Sequence, residues 1–233
     1  MNRLHHVAPW LALALFVLMG SELLLVYVAA LLGVHGLVSM TPKTLVAMGA
    51  ARYAAALGFA LFGVYAILQA PPSSIGLRLP KVAGLALGVA GGVAASLIIT
   101  LLVRELRLQG SYNLQYEHYI LSRATGLIAA ALFFVFLVFG PIVEEIVFRG
   151  IVLGGLINVT NGVVAVIVSA LIFAGIHVAG GIAQITSVFV LGLVLGWLYL
   201  RTRSVVPSSV AHIIYNTVAF YPIILYMVRA NRF

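Results

Sequence analysis

The feature that most constrains this chain is a series of apolar runs, each about as long as a bilayer is thick. From Pro9 to Leu32 the only charged side chain is Glu22. Further runs cover residues 45–68, 82–103, 126–158, 163–177 and 182–200, and a last one follows Pro207 to Val228. A transmembrane helix needs about 20 mainly apolar residues. Between the runs stand turn-forming clusters: Gly33-Val34-His35-Gly36 with Thr41-Pro42, Gln69-Ala70-Pro71-Pro72-Ser73-Ser74, Asn158 with Thr160-Asn161-Gly162, and Gly180-Gly181. Lipid offers the backbone no hydrogen bonds, so a chain with long apolar runs crosses it as helices. The expected fold is all-α, a polytopic transmembrane helical bundle of seven or eight helices. The eighth arises if the long fourth run breaks at Gly140-Pro141, because proline lacks the backbone donor and crowds the preceding turn.

Composition fixes the solvent. Hydrophobic residues make up 64% of the chain and charged residues 8%, where a soluble domain carries about 25% charged. Such a surface faces lipid, which implies an integral, multi-pass protein, expected in the cell membrane of a prokaryote, with membrane lipid as a constant partner. The net charge of +8 does not indicate nucleic acid, because the basic residues flank the apolar runs as they do at membrane interfaces. No cysteine is present, which excludes thiolate metal sites and cysteine nucleophiles. The first run exceeds a signal-peptide core and reads as a retained span.

Two parts are expected: residues 1–125, with N-terminal membrane helices and a polar, interfacial segment near 104–123, and residues 126–233, a helical core that carries the chemistry. In the third run Gly84, Gly88, Gly92 and Ser96 recur every four residues, a small-residue stripe that lets another helix backbone come close. Glu117 and His118 read as solvated side chains of the interfacial segment. Glu22 reads as a partner for Arg52 or Arg104, since charges inside a membrane survive when paired.

The last four runs hold few strongly polar side chains: Glu144, Glu145, Arg149, His177, His212 and Asn216. Glu145 and Arg149 are four residues apart, on one side of a helix. Glu144 is rotated about 100° from Glu145 and can face elsewhere. Two adjacent carboxylates do not both ionise easily in a low dielectric. Arg149 can hold Glu145 charged and leave Glu144 as general base or acid. His212 and Asn216, also four apart, can offer donors to an oxygen that turns negative. Together they suggest hydrolysis of an acyl bond by an activated water. Neither a serine nucleophile elbow nor a His-Glu-x-x-His zinc helix occurs. No cofactor is needed by this scheme, although Glu144, His177 and His212 would also suit zinc.

The pattern Glu144-Glu145-x-x-x-Arg149, then Phe173-x-x-x-His177, then His212-x-x-x-Asn216 resembles the three-motif signature of the CAAX protease and bacteriocin-processing family. Type II CAAX prenyl endopeptidases are among its members. The resemblance spans residues 126–224. It implies an intramembrane endopeptidase whose water is activated by Glu144 and His177, whose oxyanion site is His212 with Asn216, and whose Glu145 and Arg149 are supporting. It also implies a site usually described as metal-free. The substrate would be a membrane-bound or lipid-modified protein or peptide, and no residue here specifies prenyl recognition. Two other classes meet the same sequence: a non-catalytic membrane scaffold or immunity protein, and a small proton-coupled transporter. A scaffold has no use for the whole polar set. A transporter would be expected to show an internal repeat, and none is visible.

Overall fold

The computed structural model describes residues 4–36, 39–109 and 119–232, with side chains from residue 8 onward. Seven main helices follow one another: α1 (Leu4–Leu31), α2 (Pro42–Ala66), α3 (Val82–Glu105), α4 (Gly126–Leu156), α5 (Gly162–Gly175), α6 (Gly181–Thr202) and α7 (Val205–Arg229). Among the described residues there is no strand. All but α5 are long and apolar enough to cross a membrane. Large apolar side chains such as Leu15, Met19, Leu23, Leu97 and Leu101 stand exposed on the outer faces, as lipid requires. The protein is an integral, multi-pass membrane protein. Of the polar segment near 104–123, residues 110–118 lie outside the described part, and with them Glu117 and His118.

The count of seven or eight main helices resolves to seven, and the bound of one helix changes. The fourth run does not break at Gly140-Pro141; α4 is continuous over 31 residues. It absorbs the proline by widening. The turns at Phe134–Phe139 and Ile146–Leu153 are π-helical, and Gly140–Glu145 between them is α-helical. The fifth run yields a helix of 14 residues, about 21 Å of rise against a hydrocarbon core of about 30 Å. It ends before His177, which sits in the following turn.

The helices pair along their lengths: α1 with α2, α5 with α6, and α3 with α7. The small-residue stripe on α3 is the seam with α7. A methyl group on Gly88 would lie 2.6 Å from the carbonyl oxygen of Pro207, and one on Gly92 would lie 2.9 Å from Cα of Ala211. Only a bare backbone fits there, so the stripe fixes the depth of α7 beside His212. The start of α7 is tied down as well. Val205 N–H donates to the Gly76 carbonyl (3.0 Å), and the Ser204 hydroxyl donates to the Arg78 carbonyl (2.7 Å). The main core gathers residues of α1, α2, α4, α5 and α6, including Leu13, Val17, Tyr53, Phe148, Ile151 and Phe173.

Candidate active site

Glu145 and Arg149 form the buried centre. Both side chains are at most 1% exposed, with Arg149 Nη1 donating to Glu145 Oε1 at 3.0 Å. Arg149 Nη2 donates to the Gly192 carbonyl on α6 at 3.3 Å. Its guanidinium also lies over the Phe173 ring, 4.7 Å from the centroid. Buried charges persist when paired and hydrogen-bonded; this arginine meets partners on α4, α5 and α6, while its Nε and Glu145 Oε2 have no hydrogen bond among the described residues. The same carboxylate oxygen of Glu145 holds Nδ1 of His212 at 3.0 Å. This is a contact the spacing did not suggest: Glu145 links α4 to α7.

Glu144 is differently placed. Its side chain keeps 12% exposure. Oε1 accepts from the Tyr53 hydroxyl at 3.1 Å, and Oε2 lies 3.8 Å from His212 Nε2. His212 therefore stands between the two carboxylates, one ring nitrogen on each. Glu144 also lines a cavity of ≈ 20 Å³ with Ser21, Arg52, Tyr53, Val147, Phe148 and Ile176. A single water needs about 10–15 Å³ and two to four polar partners; the cavity meets the size requirement, and Glu144, Tyr53, Arg52 and Ser21 are its polar lining.

His177 reaches the cluster through its neighbours. Nδ1 lies 2.8 Å from the Phe173 carbonyl. A carbonyl only accepts, so Nδ1 carries the proton and, in the neutral ring, Nε2 is left as acceptor. Phe173 meets His177 edge-on at 4.9 Å and His212 edge-on at 5.8 Å. It packs against both imidazoles and spaces them. Ile176, next to His177, lines the cavity beside Glu144. Among the described residues no hydrogen bond or ion pair joins His177 directly to Glu144.

Asn216 is one turn beyond His212, and its Nδ2 donates to the Phe136 carbonyl at 3.3 Å. The reason lies in the widened turn. Gly140 N–H turns to the Val135 carbonyl, five residues back. The next donor in that register would belong to residue 141, which is proline. Phe136 therefore loses its donor on α4, and Asn216 replaces it from α7. One amide hydrogen of Asn216 and its Oδ1 remain for other partners.

Among the described residues no group of three His, Asp or Glu side chains gathers so as to hold a metal ion. The Nδ1 atoms of His177 and His212 have other partners, which leaves Nε2 on each ring as the nitrogen that could face a ligand.

The sequence reading missed Tyr53. It donates to Glu144 from a position 91 residues earlier, and a hydroxyl so far off in the chain leaves no spacing signal. The one available hint was a tyrosine inside an alanine-rich span next to Arg52. Glu22 does pair with Arg52, at 2.6 Å, at the edge of the same cavity.

Residues 126–218 match the family described as type II CAAX prenyl endopeptidase Rce1-like, a stretch that starts with α4 and ends in α7. The resemblance first drawn from the motifs to the CAAX protease family is thus found over this part of the chain. The chain is also similar to "Putative membrane peptidase YdiL" of Bacillus subtilis (strain 168), with 35% identity over 78 residues, 34% of this chain and 31% of that protein. The match therefore spans about a third of that curated relative. No solved structure matches the chain.

Proposed function

We propose that this protein is an intramembrane endopeptidase that hydrolyses a peptide bond of a membrane-associated substrate. The observation that carries the reading is the division of labour between the paired carboxylates. Glu145 is committed to Arg149 and His212, while Glu144 faces a cavity with room for a water.

In this mechanism a water held between Glu144 and Nε2 of His177 attacks the carbonyl carbon of the scissile bond. Glu144 takes its proton as general base. The carbonyl oxygen becomes negative in the tetrahedral intermediate. Asn216 donates its second amide hydrogen to that oxygen. His212, an imidazolium with its Nδ1 proton on Glu145, donates the other bond from Nε2. The C–N bond then breaks, the amine leaves with the proton held on Glu144, and the new carboxyl group is released. Chemistry at this depth needs no metal to generate charge, because the cluster provides both a base and donors. The similarity to CAAX-type endopeptidases supports a substrate that is itself membrane-bound or lipid-modified.

The test uses purified protein in liposomes, mixed with solubilised membrane proteins, with new chain termini mapped by mass spectrometry. Discrete new termini are expected with the natural protein and none with Glu144→Gln. Identical termini with both would end the protease reading.

A further inference from the structure

The family match starts at residue 126, yet one contact to Glu144 comes from α2. We propose that Tyr53 is a positioning residue for Glu144, seated by the absent side chain of Gly140, so that the first half of the chain completes the site. This rests on the reading of Glu144 as the water-activating group.

The geometry has three parts. First, the Tyr53 hydroxyl donates to Glu144 Oε1, which leaves Oε2 facing His212 Nε2. A carboxylate on a three-bond side chain has several rotamers, and one fixed oxygen selects among them. Second, Tyr53 is 8% exposed, and its ring meets Phe136 and Phe139 edge-on at 6.4 and 6.2 Å. These aromatics belong to the widened turn of α4. Third, the ring rests on Gly140. A methyl group there would lie 2.7 Å from the Tyr53 ζ carbon and 2.9 Å from its hydroxyl oxygen. That glycine is one turn before Glu144 on the same helix. Any side chain at residue 140 pushes the phenol away from the carboxylate it holds. Arg52 also lies over the ring, its guanidinium carbon 5.7 Å from the centroid and its charge tethered to Glu22.

The consequence is a division of tasks between halves of the chain. α4 carries the base, and α2 decides which way it points. Removing the hydroxyl should leave binding alone and slow the chemical step, because the base then samples unproductive rotamers.

The experiment compares Tyr53→Phe and Gly140→Ala with the natural protein in liposomes, using two readouts. One is the rate at which dicyclohexylcarbodiimide labels each glutamate, read by mass spectrometry. Glu144 should label several-fold faster in both variants, its Oε1 no longer occupied, and Glu145 should stay unlabelled as a sign of an intact core. The other is cleavage of whichever substrate the terminus mapping yields. For Tyr53→Phe a drop in kcat of about tenfold with KM unchanged is expected, from loss of a hydrogen bond to a charged group. Natural labelling and natural kcat in Tyr53→Phe would overturn the proposal. So would labelling of Glu145 rising in step with Glu144, which marks general loosening instead. If Tyr53→Phe does not fold, Gly140→Ala decides: Glu144 labelling at the natural rate overturns the idea. Faster labelling in a protein that cleaves nothing would refute the protease reading and leave the positioning contact standing.

Discussion

Two glutamate–arginine pairs lie deep in this membrane protein, and they are built differently. Glu145–Arg149 is at most 1% exposed, and its members also reach His212, Gly192 and Phe173. Glu22–Arg52 has side chains 52% and 30% exposed; it joins α1 to α2 at the rim of the Glu144 cavity. Both Glu22 and Arg52 fall within about one helical turn of the middle of their spans, so the contrast is not simply one of depth. The buried pair locks α4, α6 and α7 around one carboxylate. The half-exposed pair has fewer obligations. Charge at membrane depth is held structurally when every partner is fixed, and is available for other work when it is not.

The comparison can be broken first at the buried pair. Arg149→Met should cost about 3–5 kcal/mol, because it leaves Glu145 buried with a charge and no arginine. Thermal unfolding in detergent would show it as a large fall in Tm or as loss of folded protein. Glu145→Gln should act in the same direction and also release His212.

A smaller effect is expected at the join between α4 and α7. Asn216→Ala removes the donor that replaces the missing bond at Pro141, and should cost about 1–3 kcal/mol for a buried carbonyl left unpaired. In a Pro141→Ala background residue 141 regains its N–H, so most of that loss should disappear. An equal loss in both backgrounds would contradict the link between Asn216 and the proline. The cycle isolates the pair because each change acts on the same carbonyl.

The smallest effect belongs to the half-exposed pair. Glu22→Gln should change stability by only about 1 kcal/mol, the range of polar contacts between membrane helices, because glutamine can still hydrogen-bond Arg52. A fall in Tm as large as that of Arg149→Met would erase the distinction between the two pairs.

Much of the fold was legible in the sequence, and the reasons are local. Apolar runs give helices because lipid allows little else. The stripe Gly84, Gly88, Gly92 and Ser96 gave the α3 seam because its period is that of a helix face. The i,i+4 spacing gave Glu145–Arg149. Other features were not legible because they depend on contacts across the chain or on a backbone exception. Proline at 141 suggested a kink or break, and the helix meets it by widening and borrowing Asn216 from α7. His177 was placed at the end of a crossing helix, whereas α5 stops at Gly175 and leaves it in a turn. The bond from Glu145 to His212 and the bond from Tyr53 to Glu144 join residues 67 and 91 apart, which no spacing rule reaches.

The central claim is that adjacent glutamates do separate jobs, Glu145 holding the core and Glu144 performing the reaction. One paired measurement tests it: Tm and terminus-generating activity of Glu144→Gln and Glu145→Gln, side by side in the same liposomes. The account predicts that Glu144→Gln keeps a near-natural Tm and loses cleavage, while Glu145→Gln loses Tm. Glu144→Gln protein that still cleaves at the natural rate, or that unfolds as readily as Glu145→Gln, would contradict it.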